Sequence, residues 1–252
     1  MSSANPDKFQ NLNFEGFRQL AKDESLSPHE KIGFPDSYRD GKETLIFDDI
    51  KRKLPNLSKS GQVVVDIGPG CGALAFMVIE HCVAKKSTLV LIDSPEMLNQ
   101  LPDAEGIVKI PAYYPDECSE FLEEYRQKAN VVLTYSVLHY VFEEGNLFKF
   151  LDKTLSLLAN EGEFLIGDVP NVSKRKRFFA SKTGIEFHKK FMKTEENPPV
   201  EFNTLEPNQL DDAVLFSMIM RARQSGFDAY ALPQSKDLPM ANRREDILIR
   251  RP

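Results

Sequence analysis

The chain has 252 residues, 41% of them apolar and 10% aromatic, with a formal charge of -6 and a pI near 5.4. A chain of this size buries one large core or two small ones, and its acidity argues against broad nucleic-acid binding, which depends on neutralising phosphates. Its three cysteines, Cys71, Cys82 and Cys118, lack Cys-x-x-Cys spacing, which argues against a disulfide scaffold or a zinc site and predicts a reducing compartment.

The first sixty residues are polar and mixed, and we interpret 1–60 as a helical extension. A turn-rich stretch at 27–41 precedes an amphipathic helix at 43–54. Residues 1–14 show neither the apolar run of a signal peptide nor an Arg-rich pattern, and no window reaches the roughly 18 apolar residues of a membrane span. These features predict a cytoplasmic protein with no membrane association.

From residue 62 the pattern changes to short apolar runs separated by helical lengths, which is typical of repeated βα units and a parallel sheet. Strands are predicted at 62–67, 88–92, 107–110, 130–135 and 163–167, with helices at 73–83, 117–128 and 144–158. A charged, aromatic segment at 173–196 predicts one or two further helices, and a helix follows at 211–224. Two final runs, 227–232 and 246–250, predict a terminal strand pair. The sequence therefore predicts an α/β, doubly wound, seven-stranded sheet.

The turn after the first predicted strand has the composition of a ligand site. Gly68, Gly70 and Gly72 separate the strand from a helical run that begins at Ala73. Glycines let backbone amides approach a ligand closely, and a helix N-terminus favours an anionic group. Asp93 ends the second strand, where a carboxylate accepts hydrogen bonds from ribose hydroxyls. A ligand that contains a nucleoside is predicted.

The run from Asp66 to Gly72, Asp-x-Gly-x-Gly-x-Gly, followed by Leu-Ile-Asp93, resembles the signature of class I (Rossmann-like) S-adenosylmethionine-dependent methyltransferases. The resemblance covers about 60–170 and implies S-adenosyl-L-methionine as cofactor, with Asp66 supporting its methionine end and Asp93 its ribose. It also implies a mostly parallel sheet whose last strand is antiparallel, in a methyltransferase domain at 61–252 with a helical substrate or lid insert at about 173–225.

Other interpretations of the glycine turn stay open. Gly68 to Ala73 also satisfies a loose dinucleotide fingerprint, which would make the protein an NAD(P)-dependent reductase. The charge of Asp66 directly before the turn would oppose a pyrophosphate. The turn would also serve a non-catalytic S-adenosylmethionine-binding protein, or be a tightly packed turn with no ligand.

The remaining candidate positions follow later strands. The resemblance assigns the loop after the third strand, with Ala112 and Tyr113, and the strand end at Tyr135 to the cofactor. His139 is the first candidate for a general base and Asp168 the second, because an imidazole or a carboxylate accepts a proton from a substrate hydroxyl as the methyl group transfers. The alternative for each is a packing or capping role.

The acceptor is predicted to be a small molecule methylated on oxygen. The candidate acceptor-binding residues are Tyr38, Arg39, Tyr140, Lys174, Arg175 and Arg177. The basic run and a faint resemblance of 33–39 and 167–171 to methyltransferases of bacterial surface-sugar assembly favour a sugar, nucleotide-linked or phosphate-type acceptor. For the run at 174–177, a solvated helix face is the alternative. The four histidines are scattered, so no metal is predicted, and the sequence leaves monomer and homodimer open.

Overall fold

The computed structural model of the protein describes residues 12–33, 41–204 and 206–252. Its strands are β1 (Val63–Ile67), β2 (Thr88–Asp93), β3 (Ile107–Pro111), β4 (Ala129–Tyr135), β5 (Leu158–Pro170), β6 (Asp228–Pro233) and β7 (Arg244–Arg250). Its described α-helices are α1 (Phe14–Lys22), α2 (Pro28–Lys31), α3 (Glu43–Lys53), α4 (Ala73–Ala84), α5 (Pro95–Leu98), α6 (Ser119–Glu124), α7 (Leu138–Glu144), α8 (Leu147–Leu155), α9 (Val172–Ala180), α10 (Lys182–Met192) and α11 (Asp212–Gln224). None of these helices is long and apolar enough to cross a bilayer.

The strands form one sheet in the order β3-β2-β1-β4-β5-β7-β6. β1 pairs in parallel with β2 and β4, whereas β7 runs antiparallel to both β5 and β6. The strand order reverses between β1 and β4, and such a reversal opens a crevice outside the carboxyl ends of the strands. The predicted doubly wound sheet with an antiparallel last strand is confirmed.

Helices cover both faces of the sheet, so the central strands are buried on two sides. In β1, Val64 packs into the core that contains Ile50 of α3 and Val78 of α4, while Val65 belongs to the opposite core with α8 and α11. Alternate residues of a strand point to opposite faces, which explains why a continuous run of valines fits here. Helix α3 of the N-terminal extension thus packs against the sheet itself.

Three predicted element boundaries differ from the structure. The predicted helix at 144–158 begins later, because Gly145 takes an extended conformation after α7 and Asn146 then caps α8, its side chain accepting the Lys149 N–H. Leu158 belongs to β5, where it pairs with Ala129 of β4. The helix predicted at 117–128 is the shorter α6. The pattern of polar and apolar residues did not reveal these boundaries, because the Asn146 cap sets the start of α8 and the pairing of Leu158 with Ala129 sets the start of β5.

Candidate functional site

The turn that follows β1 is built around backbone shape. Gly68 and Gly70 have φ angles of +73° and +63°, which side-chain-bearing residues rarely adopt. A Cβ at Gly68 would lie 2.7 Å from Val137 Cγ2, and one at Gly70 would lie 2.7 Å from Ile32 Cγ2. The turn therefore requires glycine both for its conformation and for the close approach of the N-terminal segment.

Asp93 holds the same turn from the end of β2. Its Oδ2 accepts the Gly70 N–H at 2.9 Å, and its Oδ1 accepts the Ser94 N–H at 2.6 Å. The Gly68 N–H donates to the carbonyl of Ile92 at 2.9 Å, so the turn is tied to β2 at two points. Burial raises the pKa of Asp93 to about 6, although these two N–H donors act against the rise.

Asp66, near the end of β1, is 4% exposed. Burial, and to a smaller extent the negative charge of Asp93, raises the pKa of Asp66 to about 8. Two carboxyl groups whose charged forms are disfavoured thus lie side by side at the turn. Such a pair is best stabilised by a ligand that brings a positive charge or several hydrogen-bond donors.

A cleft of about 1170 Å³, counted to its open mouth, runs along the carboxyl ends of β1, β2 and β4. Its described lining contains Phe14, Phe17, Ile32, Asp66, Ile67, Gly68, Pro69, Gly70, Gly72, Leu74, Ile92, Asp93, Met97, Ala112, Tyr113, Tyr114, Leu133, Tyr135, Ser136, Val137, Tyr140, Val141, Glu144 and Phe150. Among these residues the charged side chains are all carboxylates: Asp66, Asp93 and Glu144.

Helix α1 covers the cleft through aromatic contacts. Phe14 meets Tyr113 edge-on with ring centroids 5.0 Å apart, and Phe17 meets Tyr140 in the same way at 4.8 Å. Arg18 fixes the helix to the body, donating two hydrogen bonds of 2.8 Å to the carboxylate of Glu96 in α5. This pairing lowers the pKa of Glu96 to about 2.

A second polar arrangement lies at the carboxyl ends of β4 and β5. Ser136 and Asp168 both take positive φ angles, +63° and +58°, and the Ser136 hydroxyl donates to Asp168 Oδ2 at 2.6 Å. Arg244 donates to the Asp168 carbonyl at 3.0 Å, and its guanidinium lies 3.8 Å from the Asp168 carboxylate. Because Ser136 lines the cleft and Asp168 lies behind it, the hydroxyl links the buried acid to the cavity.

Asp246 of β7 holds the backbone of Asp168 in place. Its Oδ1 accepts the Asp168 N–H at 2.9 Å and the Gln234 side-chain N–H at 3.0 Å, and its Oδ2 accepts from Lys53 of α3 at 2.6 Å. Asp246 is completely buried, and burial is the largest influence on its pKa, which is raised despite the neighbouring Lys53. Lys53 thereby supports the backbone of Asp168 through the carboxylate of Asp246.

The structure brings together all of the residues predicted for the cofactor. The lining includes every cofactor-binding candidate, namely Asp66, Gly68, Gly70, Gly72, Asp93, Ala112, Tyr113 and Tyr135, together with the acceptor candidate Tyr140. Neither candidate base is a lining residue: Asp168 lies behind Ser136, and the His139 ring lies against Tyr140 with centroids 3.8 Å apart. Tyr38 and Arg39 lie outside the described residues.

The basic run 174–177 is engaged within the chain. Lys174 donates to the Arg244 carbonyl at 2.7 Å, Arg175 and Lys176 pair with Glu206, and Arg177 pairs with Asp212. Lys174, Arg175 and Arg177 are not lining residues of the cleft. A role of these three residues in acceptor binding stays a prediction, and their positions do not support it. The same role of Tyr38 and Arg39 also stays a prediction, because both lie outside the described residues.

Sequence reasoning missed Phe14, Phe17, Ile32, Ser136 and Glu144, which also line the cleft. Ser136 carried a weak signal, since it follows a strand that ends at the ligand-facing edge. The residues of α1 and Ile32 carried none, because nothing in a polar N-terminal segment indicates which part of the sheet it covers.

The described residues contain no group of His, Cys, Asp or Glu that could hold a metal ion.

No protein-family model matches the sequence, and no curated protein sequence matches it. Solved structures do match. The plantazolicin methyltransferase BpumL in complex with SAH is 13% identical, covers 98% of both chains and superimposes with a TM-score of 0.57. The CurJ carbon methyltransferase is 14% identical, with 97% of this chain and 65% of that chain covered and a TM-score of 0.52.

The chain has the fold of class I S-adenosylmethionine-dependent methyltransferases. The seven-stranded order and the antiparallel β7 agree with the fold that the sequence resemblance implied. At this level of identity the likeness concerns the fold, and the function is argued from the cleft.

Proposed function

We propose that the protein is an S-adenosylmethionine-dependent methyltransferase whose cofactor occupies the cleft over the glycine turn. The observation that carries the proposal is the charge of the cleft: in its described part, Asp66, Asp93 and Glu144 supply the formal charges around a backbone turn that only glycine permits. The fold shared with methyltransferases supports the same conclusion.

The carboxylates distinguish this cofactor from its main rival. S-adenosylmethionine carries a sulfonium and an ammonium group, which favour the ionised forms of Asp66 and Asp93, while its ribose offers hydroxyl donors to Asp93. A dinucleotide would place its pyrophosphate at the turn directly after Asp66, where the ionised form of this acid would repel it, whereas Asp93 suits the ribose of either cofactor. The charge pattern therefore supports the methyl donor over NAD(P).

When bound, the cofactor supplies an electrophilic methyl group on sulfur. The protein's own contribution is to orient an acceptor, exclude water and receive the proton that the acceptor loses. Aromatic contacts of α1 with Tyr113 and Tyr140 cover one side of the cleft. The Ser136 hydroxyl, bonded to Asp168, provides a route for a proton from the cleft to a buried carboxylate.

We propose further that the acceptor is a small molecule methylated on oxygen. The sequence ranks His139 before Asp168 as the candidate base; because Ser136 joins Asp168 to the cleft, we propose the reverse order, with Asp168 acting through Ser136. The sugar, nucleotide-linked or phosphate-type acceptor of surface-polysaccharide biosynthesis stays part of the hypothesis, although the pairing of Lys174 to Arg177 within the chain lends a phosphate no support. A cytoplasmic location belongs to the same proposal and fits the three buried free thiols.

Calorimetric titration of the full chain with S-adenosylmethionine, S-adenosylhomocysteine and NADH tests the cofactor. We expect the two sulfur nucleosides to bind and NADH not to. Asp93→Asn should weaken their binding at least about tenfold, because an amide disturbs a carboxylate that accepts from the turn and the ribose. Asp103→Asn, an exposed acid paired with Lys109, is the matched control and should bind as the unaltered protein does.

Binding of NADH alone would overturn the proposal. Formation of S-adenosylhomocysteine from S-adenosylmethionine across a panel of hydroxylated acceptors, with phosphorylated and unphosphorylated members, tests the reaction. Tight cofactor binding with no turnover on hydroxyl, amine or carbon acceptors would favour the non-catalytic alternative.

A further inference from the structure

The insert after β5 presents an outer helix whose surface the active cleft does not use. Helix α10 follows α9 as a helical hairpin, and its described side chains include three exposed apolar ones: Phe187 is 40% exposed, Phe191 64% and Met192 59%. Isolated exposed apolar side chains are ordinary, but neighbouring large ones at the tip of one helix indicate an interaction site.

The two helices of the hairpin are joined at a single residue. Ser181 both ends α9 and caps α10, its hydroxyl accepting the Gly184 N–H at 3.1 Å. A Cβ at Gly184 would lie 1.9 Å from the Phe178 carbonyl oxygen, so the two helices touch backbone to backbone at that point. The rings of Phe187 and Phe191 stack 5.8 Å apart with planes 9° from parallel. The two aromatic side chains thus stack on each other while they face the solvent.

The charges of the two helices are used differently. The basic residues of α9 pair with acids or carbonyls of the body, as described above for 174–177. Residues 182–193, by contrast, contain four lysines and one acid, Glu186, in a chain whose formal charge is -6. Lys182, Lys189, Lys190 and Lys193 form no ion pair with any described residue, and Glu195 and Glu196 come only after the helix has ended. The exposed surface of α10, named the α10 face, consists of these four lysines, of Phe187 and Phe191, which share one side of the helix, and of Met192 at its C-terminal end. Cations that form no ion pair with the described residues thus adjoin apolar side chains.

We propose that the α10 face docks on the surface of an anionic lipid bilayer. Aromatic and aliphatic side chains beside lysines on one short helix are the composition of helices that lie in a membrane interface, with apolar groups in the acyl boundary and ammonium groups among the phosphates. The protruding side chains of Phe191 and Met192 suit a deformable hydrocarbon layer, which needs no preformed pocket.

Charge argues against the other simple occupant, a second copy of the chain. In a symmetric dimer the same patch meets itself, which would place the lysines of one α10 face against those of the other. The docking inference does not depend on the proposed methyltransferase function. It revises the sequence prediction of no membrane partner to contact with the membrane surface, without a spanning helix.

Co-flotation of the full chain with vesicles tests the proposal. Vesicles of phosphatidylcholine with 30 mol% phosphatidylglycerol, about one lipid in three, are compared at low salt with pure phosphatidylcholine vesicles. We expect clear binding to the anionic vesicles, little to the neutral ones, and loss of binding as salt rises. The Phe191→Ser/Met192→Ser variant should lose at least about tenfold in partitioning. Lys189→Gln/Lys190→Gln should remove most of the difference between the two lipids.

Helix α11 offers a matched control. Phe216 and Met220 are 54% and 59% exposed, but the neighbouring Arg221 pairs with Asp152 and Arg223 donates to the Ala229 carbonyl. Phe216→Ser/Met220→Ser should therefore partition as the unaltered protein does, and unchanged thermal unfolding verifies the fold of each variant. Equal binding to anionic and neutral vesicles would overturn the proposal. So would equal losses of binding in Phe191→Ser/Met192→Ser and in the control Phe216→Ser/Met220→Ser. Sedimentation gives a further test. If the chain does not bind vesicles, and Phe191→Ser/Met192→Ser changes its oligomeric state, the α10 face is a protein interface and the proposal is overturned.

Discussion

The two ends of the candidate site are built in different ways. At β1 and β2, a short local run of glycines shapes the backbone, and one carboxylate, Asp93, holds the turn in place. At β4, β5 and β7, side chains far apart in the sequence, from Lys53 to Asp246, hold Asp168 in a left-handed conformation. The first end is specified by close spacing in the chain and the second by tertiary contacts. Substitutions should therefore damage the first through shape and the second through unpaired charge.

The largest expected effect is on the second end. Lys53→Met leaves the buried Asp246 carboxylate without its cation, and breaking a buried pair in this way typically costs about 3–5 kcal/mol of unfolding free energy. Lys51→Met is the control on the same helix, because Lys51 pairs with the exposed Asp48 and should cost about 1 kcal/mol or less. Urea unfolding measures both. Similar losses in the two variants would show that the Lys53 contact is not a structural requirement.

The next effect tests the glycine turn. In Gly70→Ala the new Cβ meets Ile32 at 2.7 Å and takes φ of +63°, so the turn must move, and we expect binding of S-adenosylhomocysteine to fall about 100-fold. Gly61→Ala has a similar φ of +70° but meets nothing within 4 Å, so it carries the conformational cost alone. Calorimetric titration should show near-normal affinity for Gly61→Ala. If both variants bind alike, the turn tolerates a side chain and the shape argument is wrong.

A smaller effect concerns the pH dependence of stability. The pKa of Asp66 is raised in the folded protein to about 8, so its contribution is fully present below the unfolded pKa near 4 and is lost as pH rises through about 8. Asp66→Asn removes this loss, so the unfolding free energy of the unliganded variant should rise relative to that of the unaltered protein as pH increases from 5 to 8. Parallel stability curves measured by urea unfolding at several pH values would contradict the raised pKa.

The smallest effect concerns the N-terminal cover of the first end. Glu96→Gln removes a carboxylate that Arg18 and Lys22 both contact, and we expect S-adenosylhomocysteine affinity to fall only about two- to fivefold, less at high salt. Asp152→Asn breaks the exposed Arg221 pair elsewhere on the body and should leave affinity unchanged. A large loss in Glu96→Gln would mean that α1 is a larger part of the binding site than its contacts indicate.

The fold was largely predictable because each strand is a short apolar run, and a parallel strand buried on both faces needs little else in its sequence. The cofactor end was predictable for a related reason: Asp66, three glycines and Asp93 are close in the chain, and their spacing fixes a strand, a turn and a second strand end. The cover by Phe14, Phe17 and Ile32 was not predictable, because the sequence of a polar helix does not say which distant surface it meets. The pairing of the basic run 174–177 with Glu206 and Asp212 was not predictable for the same reason, since these two acids lie far along the chain.

The sequence by itself determined the alternation of strands and helices, the glycine turn, and the acid at or near the end of each of the first two strands, because these depend on local periodicity and backbone freedom. Tertiary structure decided that Ser136, Asp168, Asp246 and Lys53 form one hydrogen-bonded chain. It also decided that the cations of α9 pair with groups of the body, while those of α10 form no ion pair with any residue that the structure describes. The physical reason is that hydrogen bonds and ion pairs depend on distances of a few ångströms between side chains, which the order of residues along the chain does not contain.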